Sequence, residues 1–455
     1  MPIKTHIYDN GFGLIYEKSK SSLSLSSINL FVKYGSQQEP PQLRGVSHFI
    51  EHMCFKGTKK RLSAVDISTE YDKIGADFNA FTDKHVTCYY FKCDSVYSDK
   101  CIEILADLLL NSTFVKKEFE KEHKVVIEEN IRALNDSTST IMDETDALLY
   151  AGSPLANTID HVSYHKAGSL NYEDVVEYYK TVYVPQNMFI SVVTDQSFES
   201  IKKVIQKTAL PNIRPYSMQP TNLVVLAPQQ DIVFKTIPNN KVENALLTVS
   251  FRVCGADADR YVLSLLQNVL SGPMSSRLFV VLREKHGLVY STNIDITHYH
   301  NVGGFTIFTQ IDKTKLLGNT KTLLPVLVDI LDDLVKHGIT EKELKDAKGY
   351  QKGQMLISME DIDEPCYYNG ENFLFSTPSA SSGLQMQPPA SSGARMQPLV
   401  PLSDLYKQCY QSITVKQVNE CIEKYFTRDR MSVCVMAQKP PTVAAITKCF
   451  AKFSP

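Results

Sequence analysis

Apolar and polar positions along the chain change period several times, and each change marks an element. HIYD, Asn10-Gly11 and FGLIYE read as two short alternating runs joined by a hairpin turn. Residues 23–34 (LSLSSINLFVKY) alternate as a strand that runs into Gly35. A polar loop with Pro40 and Pro41 follows, then a helical pattern over about 45–55 and another over 63–75. Residues 77–93 (DFNAFTDKHVTCYY and onward) predict a strand, a turn at Thr82-Asp83 and a second strand. Amphipathic helices are expected over 98–111 and about 116–134, shorter helical segments near 143–150 and 171–181, and a strand over 187–194.

The series then restarts. Residues 211–230 carry Pro211, Pro215, Pro220 and Pro228 among polar residues, a density that stiffens and extends a chain into a linker. After it come DIVFKT, a strand in ENALLTVSFRVCG and a helix in DRYVLSLLQNVLSG. Gly35 precedes His48 by the same interval as Gly255 precedes Asn268, so Asn268, Ser271 and Gly272 fall under His48, Glu51 and His52. Residues 114–129 match 339–354, and EYYKTVYVPQNMFISVV is similar to EKYFTRDRMSVCVM. The expectation is an α+β protein of two homologous α/β-sandwich domains, 1–210 and 231–455, joined by the 211–230 linker. Within the second, residues 378–398 hold a tandem repeat (ASSGLQMQP, ASSGARMQP) rich in Ser, Gly, Pro and Gln, expected to be a loop insertion without a core of its own.

Composition narrows the classes without naming one. The chain has 455 residues, 43% hydrophobic and 22% charged, which suits two ordinary domains. A formal net charge of −2 gives no reason to expect nucleic acid as a partner. No apolar run approaches the roughly 18 residues of a membrane-spanning helix. The ten cysteines are scattered without a C-x-x-C, as in a reducing compartment, and the first residues read as a hairpin rather than a signal or transit segment. A cytoplasmic location is therefore expected in preference to a mitochondrial one.

The candidate chemistry sits in GVSHFIEHMCFKGT. His48 and His52, four apart on a helix, project about 40° from one another and can reach one metal ion. Glu51 lies beside them, giving H-x-x-E-H, the inverted form of the zinc-peptidase helix. A packed structural His pair has the same pattern, so a third ligand must be found. On the helix over 116–134, Glu128 shares a face with Lys121, Lys124 and Arg132, whereas Glu129 shares one with Glu122, Val125, Val126 and Ala133. Two carboxylates on an apolar face need a cation or a hydrogen-bond partner. The choice stays open between a metal site, with Glu129 as ligand and Glu122 behind it, and two glutamates at the edge of a packed face.

HFIEH, an interval of 76 residues and then Glu129 together resemble the insulinase/pitrilysin family of zinc peptidases. GVSHFIEHMCFKGTKKR, IGADFNAFTDKHVTCYY, YVPQNMFISVV and SSRLFVVLREKHGLVYS are similar to the processing-peptidase branch of that family and its bacterial two-domain relatives. The resemblance implies a half-clamshell of two similar domains that closes a chamber with a second half. It implies one zinc ion per chain on His48, His52 and Glu129, Glu51 as general base, and hydrolysis of unfolded peptides or short polypeptides. By the same resemblance Arg283 and Tyr290 bind and orient the peptide in the zinc site of a partner chain. An extended peptide adds along the strand that carries Asn79 and Ala80. A homodimer would build two complete sites; a heterodimer with a homologous silent subunit is the other arrangement. The alternative to an enzyme is a non-catalytic structural or partner subunit of a processing-peptidase-like complex. His298 and His300 could chelate from one strand face, but exposed strand polars are the simpler expectation.

Overall fold

The structure, a computed structural model, describes residues 2–159, 170–212, 224–376 and 399–453. In chain order the elements are β1 (Lys4–Ile7), β2 (Gly13–Lys18), β3 (Leu25–Val32), α1 (Val46–Cys54), α2 (Ala64–Asp72), β4 (Asp77–Thr82), β5 (Thr87–Asp94), α3 (Ser98–Asn111), α4 (Lys116–Asn135), α5 (Ser137–Leu149), α6 (Tyr172–Val182), β6 (Met188–Thr194) and α7 (Phe198–Gln206). Then follow β7 (Val233–Pro238), β8 (Ala245–Cys254), α8 (Asp259–Leu270), β9 (Thr292–His298), β10 (Val302–Ile311), α9 (Leu323–His337), α10 (Glu341–Ser358), α11 (Asp363–Ser376), α12 (Leu402–Leu405), α13 (Val415–Tyr425), β11 (Met431–Ala437) and α14 (Val443–Phe450). The turn expected at Thr82-Asp83 lies one step later: Thr82 still pairs with Thr87, and Asp83–Val86 make the bend. α5 starts earlier than the 143–150 segment expected from sequence, because Asp136 caps it by accepting from the Thr138 and Ser139 amides.

The chain divides into two compact units. One comprises Met1–Ile131, Asn157–Asn222 and Leu356–Asp404; the other comprises Arg132–Ala156, Leu223–Met355 and Leu405–Pro455. These units are interleaved along the sequence rather than split at a single linker. In the first, the sheet order is β1-β2-β6-β3-β5-β4; in the second it is β7-β11-β8-β10-β9. β2 and β6 pair in parallel, as do β7 and β11, and the remaining neighbours are antiparallel. Dropping β1 makes the two orders equivalent, so the duplication read from sequence is a duplication of topology.

Both sheets are covered on two faces, which explains why β6, β8 and β11 are buried along their whole length. In the first unit α1, α3, α6 and α7 supply the core that includes Phe49, Ile50, Leu105, Leu109, Tyr179 and Ile201. Its other face is closed by α11, through Phe373 against Ile15, Phe31 and Phe189. In the second unit α5 closes the corresponding face, with Ile141 against Leu246, Cys434 and Met436. Each sheet thus receives one helix from the other half of the sequence.

Gly35 and Gly255 occupy the same place in the two units. A Cβ on Gly35 would lie 2.1 Å from the Asp83 carbonyl oxygen and 2.7 Å from Val86 N. A Cβ on Gly255 would lie 2.6 Å from the Tyr299 and His300 carbonyl oxygens. The hairpins β4–β5 and β9–β10 dock their tips on these positions, and the lack of a side chain is what admits them. His298, at the end of β9, is half-buried rather than exposed; burial lowers its basicity, and Nδ1 lies 3.2 Å from the Cys254 carbonyl. Most of the expected linker, and the 378–398 insertion with its repeat, lie outside the described residues.

Candidate metal centre

α1 buries Val46, Phe49, Ile50 and Met53 in the first unit's core, which leaves His48 and His52 half-buried on its flank. Its N-cap, Gly45, has φ +86° and no side chain to cap the helix. Glu39 does so from the preceding loop, accepting from Gly45 N at 2.6 Å and Ser47 N at 2.8 Å. This satisfies two amides that a helix start leaves open and sets a carboxyl group at the positive end of the helix. Burial pushes the Glu39 carboxyl up to about 7 against the pull of those hydrogen bonds.

α4 buries Phe119, Glu122, Val126 and Asn130, a stripe spaced by three and four residues. Glu129 is half-buried beside the stripe and Glu128 is exposed, so the helix separates the two neighbours. Val125, expected with Glu129 on the apolar face, is 40% exposed; the stripe is narrower than the run of apolar letters. His48 Nε2 and His52 Nε2 lie 3.2 Å apart, and His52 Nε2 lies 3.3 Å from Glu129 Oε2. Among the described residues, His48, His52 and Glu129 are the set of three whose donor atoms converge, all within 4.8 Å of one another. Tetrahedral zinc with bonds near 2.0–2.1 Å sets its ligands about 3.3 Å apart. Two of the three separations match that edge, and two imidazole nitrogens with a carboxylate oxygen are a zinc donor set. The residues fit the ion.

Behind the convergent atoms, His52 Nδ1 lies 2.9 Å from Glu122 Oε1, and Glu122 Oε2 lies 2.7 Å from Lys56 Nζ. A carboxylate at Nδ1 calls for the proton there, which leaves the Nε2 lone pair directed at Glu129 and His48. Burial alone would raise the Glu122 carboxyl, but the hydrogen bonds from His52 and Lys56 and their charges hold it below its ordinary value. Glu51 is buried at 8% exposure, and its Oε2 accepts from Thr82 Oγ1 at 2.6 Å. Lys56 and Thr82 were not singled out from sequence. Lys56 lies one helical turn beyond His52, the only local sign of its role, and Thr82 stood where a turn was expected.

β4, which carries Asn79 and Ala80, is an edge strand of its sheet. Asp83 N donates to Val86 O at the hairpin tip, so the hydrogen-bonded pairs recur at Phe81↔Cys88 and Asn79↔Tyr90. The N–H and C=O of Ala80 therefore face the open edge, and Asn79 Oδ1 accepts from that N–H at 2.9 Å. In the second unit, Arg283 and Tyr290 meet although they do not share a helix. Gly287, at φ +57°, turns the chain back after the helical segment Phe279–Lys285. Arg283 then donates from Nη1 to the Tyr290 carbonyl at 3.1 Å, with its guanidinium 4.9 Å from the Tyr290 ring centroid. Tyr290 is 82% exposed. Asn268, the counterpart of His48, donates to Gln351 Oε1 at 2.6 Å, so a neutral amide pair stands where the first unit gathers its donors.

The family model described as Insulinase (Peptidase family M16) matches residues 15–161, and that described as Peptidase M16 inactive domain matches residues 169–349. A relative in Bacillus subtilis, named as the uncharacterized zinc protease YmxG, is 32% identical over 378 residues, covering 82% of this chain and 88% of its own. One in Rickettsia felis, also named as a zinc protease, is 30% identical, covering 76% and 82%. Among solved structures, a protease from Helicobacter pylori superposes with TM-score 0.82 at 20% identity, over 97% of this chain and all of that one. The periplasmic protease PqqL from Escherichia coli superposes with TM-score 0.79 at 17% identity, over 99% of this chain and 50% of that one. With the donor set above and this likeness along most of its length, the chain belongs to the insulinase family, peptidase family M16, as a zinc metallopeptidase.

Proposed function

We propose that the chain is a metalloendopeptidase that hydrolyses unfolded peptides or short polypeptides inside a chamber closed by a second, homologous half. The observation that carries this reading is the convergence of His48, His52 and Glu129 at zinc-ligand separations, with Glu51 next to His52 on the same helix. Zinc held there would act as a Lewis acid on the scissile carbonyl and lower the pKa of a bound water towards about 7. Glu51 takes a proton from the attacking water and returns one to the leaving amine. Glu122, tied to Lys56, holds the His52 ring in the orientation that presents Nε2.

The substrate lies extended along β4, pairing with the outward N–H and C=O of Ala80. Asn79 Oδ1 now accepts from that N–H, so the Asn79 amide swings aside to let the peptide carbonyl replace it. Arg283 and Tyr290 reach the substrate from the partner half. The Arg283 side chain stacks on the Tyr290 ring and presents the phenol, whose hydroxyl donates to the developing oxyanion. A protease whose chain is twice as long as this one supports a second half as part of the working unit. A homodimer supplies it, because this chain carries both the donor set and the Arg283–Tyr290 pair.

The test is cleavage of a mixed peptide library before chelation, after it, and after zinc is restored. Cuts that vanish with the chelator and return with zinc support the reading, and a cleavage pattern indifferent to both sinks it.

A further inference from the structure

We propose that Thr82 is the positioning residue of the general base: its hydroxyl, held on the docked tip of the β4–β5 hairpin, fixes the Glu51 carboxylate. The inference deepens the proposed function and rests on Glu51 acting as the base.

Thr82 Oγ1 donates to Glu51 Oε2 at 2.6 Å, the length of a hydrogen bond from a hydroxyl to a charged acceptor. A glutamate side chain has three rotatable bonds, and a base must be held in the geometry that transfers the proton. On a helix the preceding turn restricts the first of those bonds. The carboxylate itself needs a donor, and here that donor comes from another element. A hydroxyl suits the task because it is neutral. It orients the carboxylate without a full positive charge that would make it a weaker base.

The support is anchored by packing on one side and by backbone hydrogen bonds on the other. Thr82 is the last residue of β4 and shares its face with Phe78 and Ala80, which pack on the first unit's core. Just beyond it, Ser36 N donates to the Asp83 carbonyl at 3.2 Å and Gln37 N to the Lys84 carbonyl at 2.8 Å. This docking passes over Gly35, whose missing side chain is the space the tip occupies. Gly35 has extended backbone (φ −142°), so what the position demands is room rather than an unusual conformation. Gly35, the hairpin tip, Thr82 and Glu51 therefore form one physical series that sets the base from outside the metal helix.

The experiment compares Thr82→Val, which keeps the shape and removes the hydroxyl, with Thr82→Ser, which keeps the hydroxyl. Zinc content, kcat and KM are measured on a quenched fluorescent peptide that the unaltered protein cleaves. Thr82→Val should keep one zinc per chain and a KM within about twofold, while kcat falls about tenfold to a hundredfold. Thr82→Ser should recover kcat to within about threefold of the unaltered protein. A Val variant with undiminished kcat, a loss carried by KM or zinc content, or a Ser variant as slow as Val overturns the proposal. If Val lowers the thermal midpoint enough to prevent assay, Thr82→Ala is compared with Ser by the same criteria. Glu51→Gln is assayed in parallel. Should it retain activity, the reading of the base itself fails; should it be inactive while Thr82→Val is not slowed, only the positioning role fails.

Discussion

His52 and Glu122 meet through Nδ1 and Oε1 at 2.9 Å, and the same carboxylate holds Lys56 at 2.7 Å through its other oxygen. The two helices that supply the metal donors are thereby tied by a bond that also sets the tautomer of one ligand. Replacing Glu122 with Gln keeps the shape but removes the charge that favours a proton on Nδ1. Zinc affinity should fall about 10–100-fold, read by competition with a chromophoric chelator. An unchanged affinity would show that His52 is oriented by packing alone.

Glu51→Gln should bind zinc as the unaltered protein does and lose activity by a factor of roughly 10²–10⁴. Metal analysis alongside turnover checks it; near-normal turnover would remove Glu51 from the role of base.

Glu129 and Glu128 are neighbours in sequence on different faces of α4, one half-buried beside His52 and the other exposed. Glu129→Gln should lower zinc content far more than Glu128→Gln. Equal losses from the two variants would contradict the placement of the donor set.

Tyr290→Phe should retain full zinc and slow cleavage by about tenfold or more, as loss of an oxyanion donor does. In a mixture with a Glu51→Gln chain, a homodimer that exchanges subunits should recover part of the activity, since one of its two sites is then complete. No kinetic effect from Tyr290→Phe would remove the residue from the site.

Arg61 is 2% exposed and pairs with Glu70 at 2.9 Å, Glu103 at 2.7 Å and Asp107 at 2.6 Å. Burial opposes the charge on Glu103, but hydrogen bonds from Arg61 and Lys60 lower its carboxyl to about 2. The unfolded chain binds this proton more readily than the folded one, so the contribution is complete above the ordinary carboxylate range and is lost as pH falls towards 2. The thermal midpoint should decline over that interval, and less steeply in Glu103→Gln. Parallel slopes would place the acid sensitivity elsewhere.

The metal helix, the separation of Glu129 from Glu128 and the duplication were legible because each is local or periodic. Helical spacing decides which side chains share a face, and repeated strand order needs only matching runs of letters. The letters put the β4–β5 turn at Thr82-Asp83, early, because both are acceptable turn residues. Only the pairing Thr82↔Thr87 separates strand from bend. Val125 looked inward by its letter and is exposed, since the surface α4 covers is narrower than its apolar run.

By itself the sequence determined the order of elements, the likeness of the two halves and the His48–His52 pair on one helix face, since these follow from local periodicity and repeated runs of letters; Glu129 as their companion came from the family resemblance. Tertiary structure decided which partners those residues have. Lys56 is 66 positions from Glu122, and Thr82 is 31 from Glu51, so no helical or strand period relates them. It also decided that α5 and α11 each cover the sheet of the other half's sequence, because an amphipathic helix specifies a face to bury without specifying the surface that buries it.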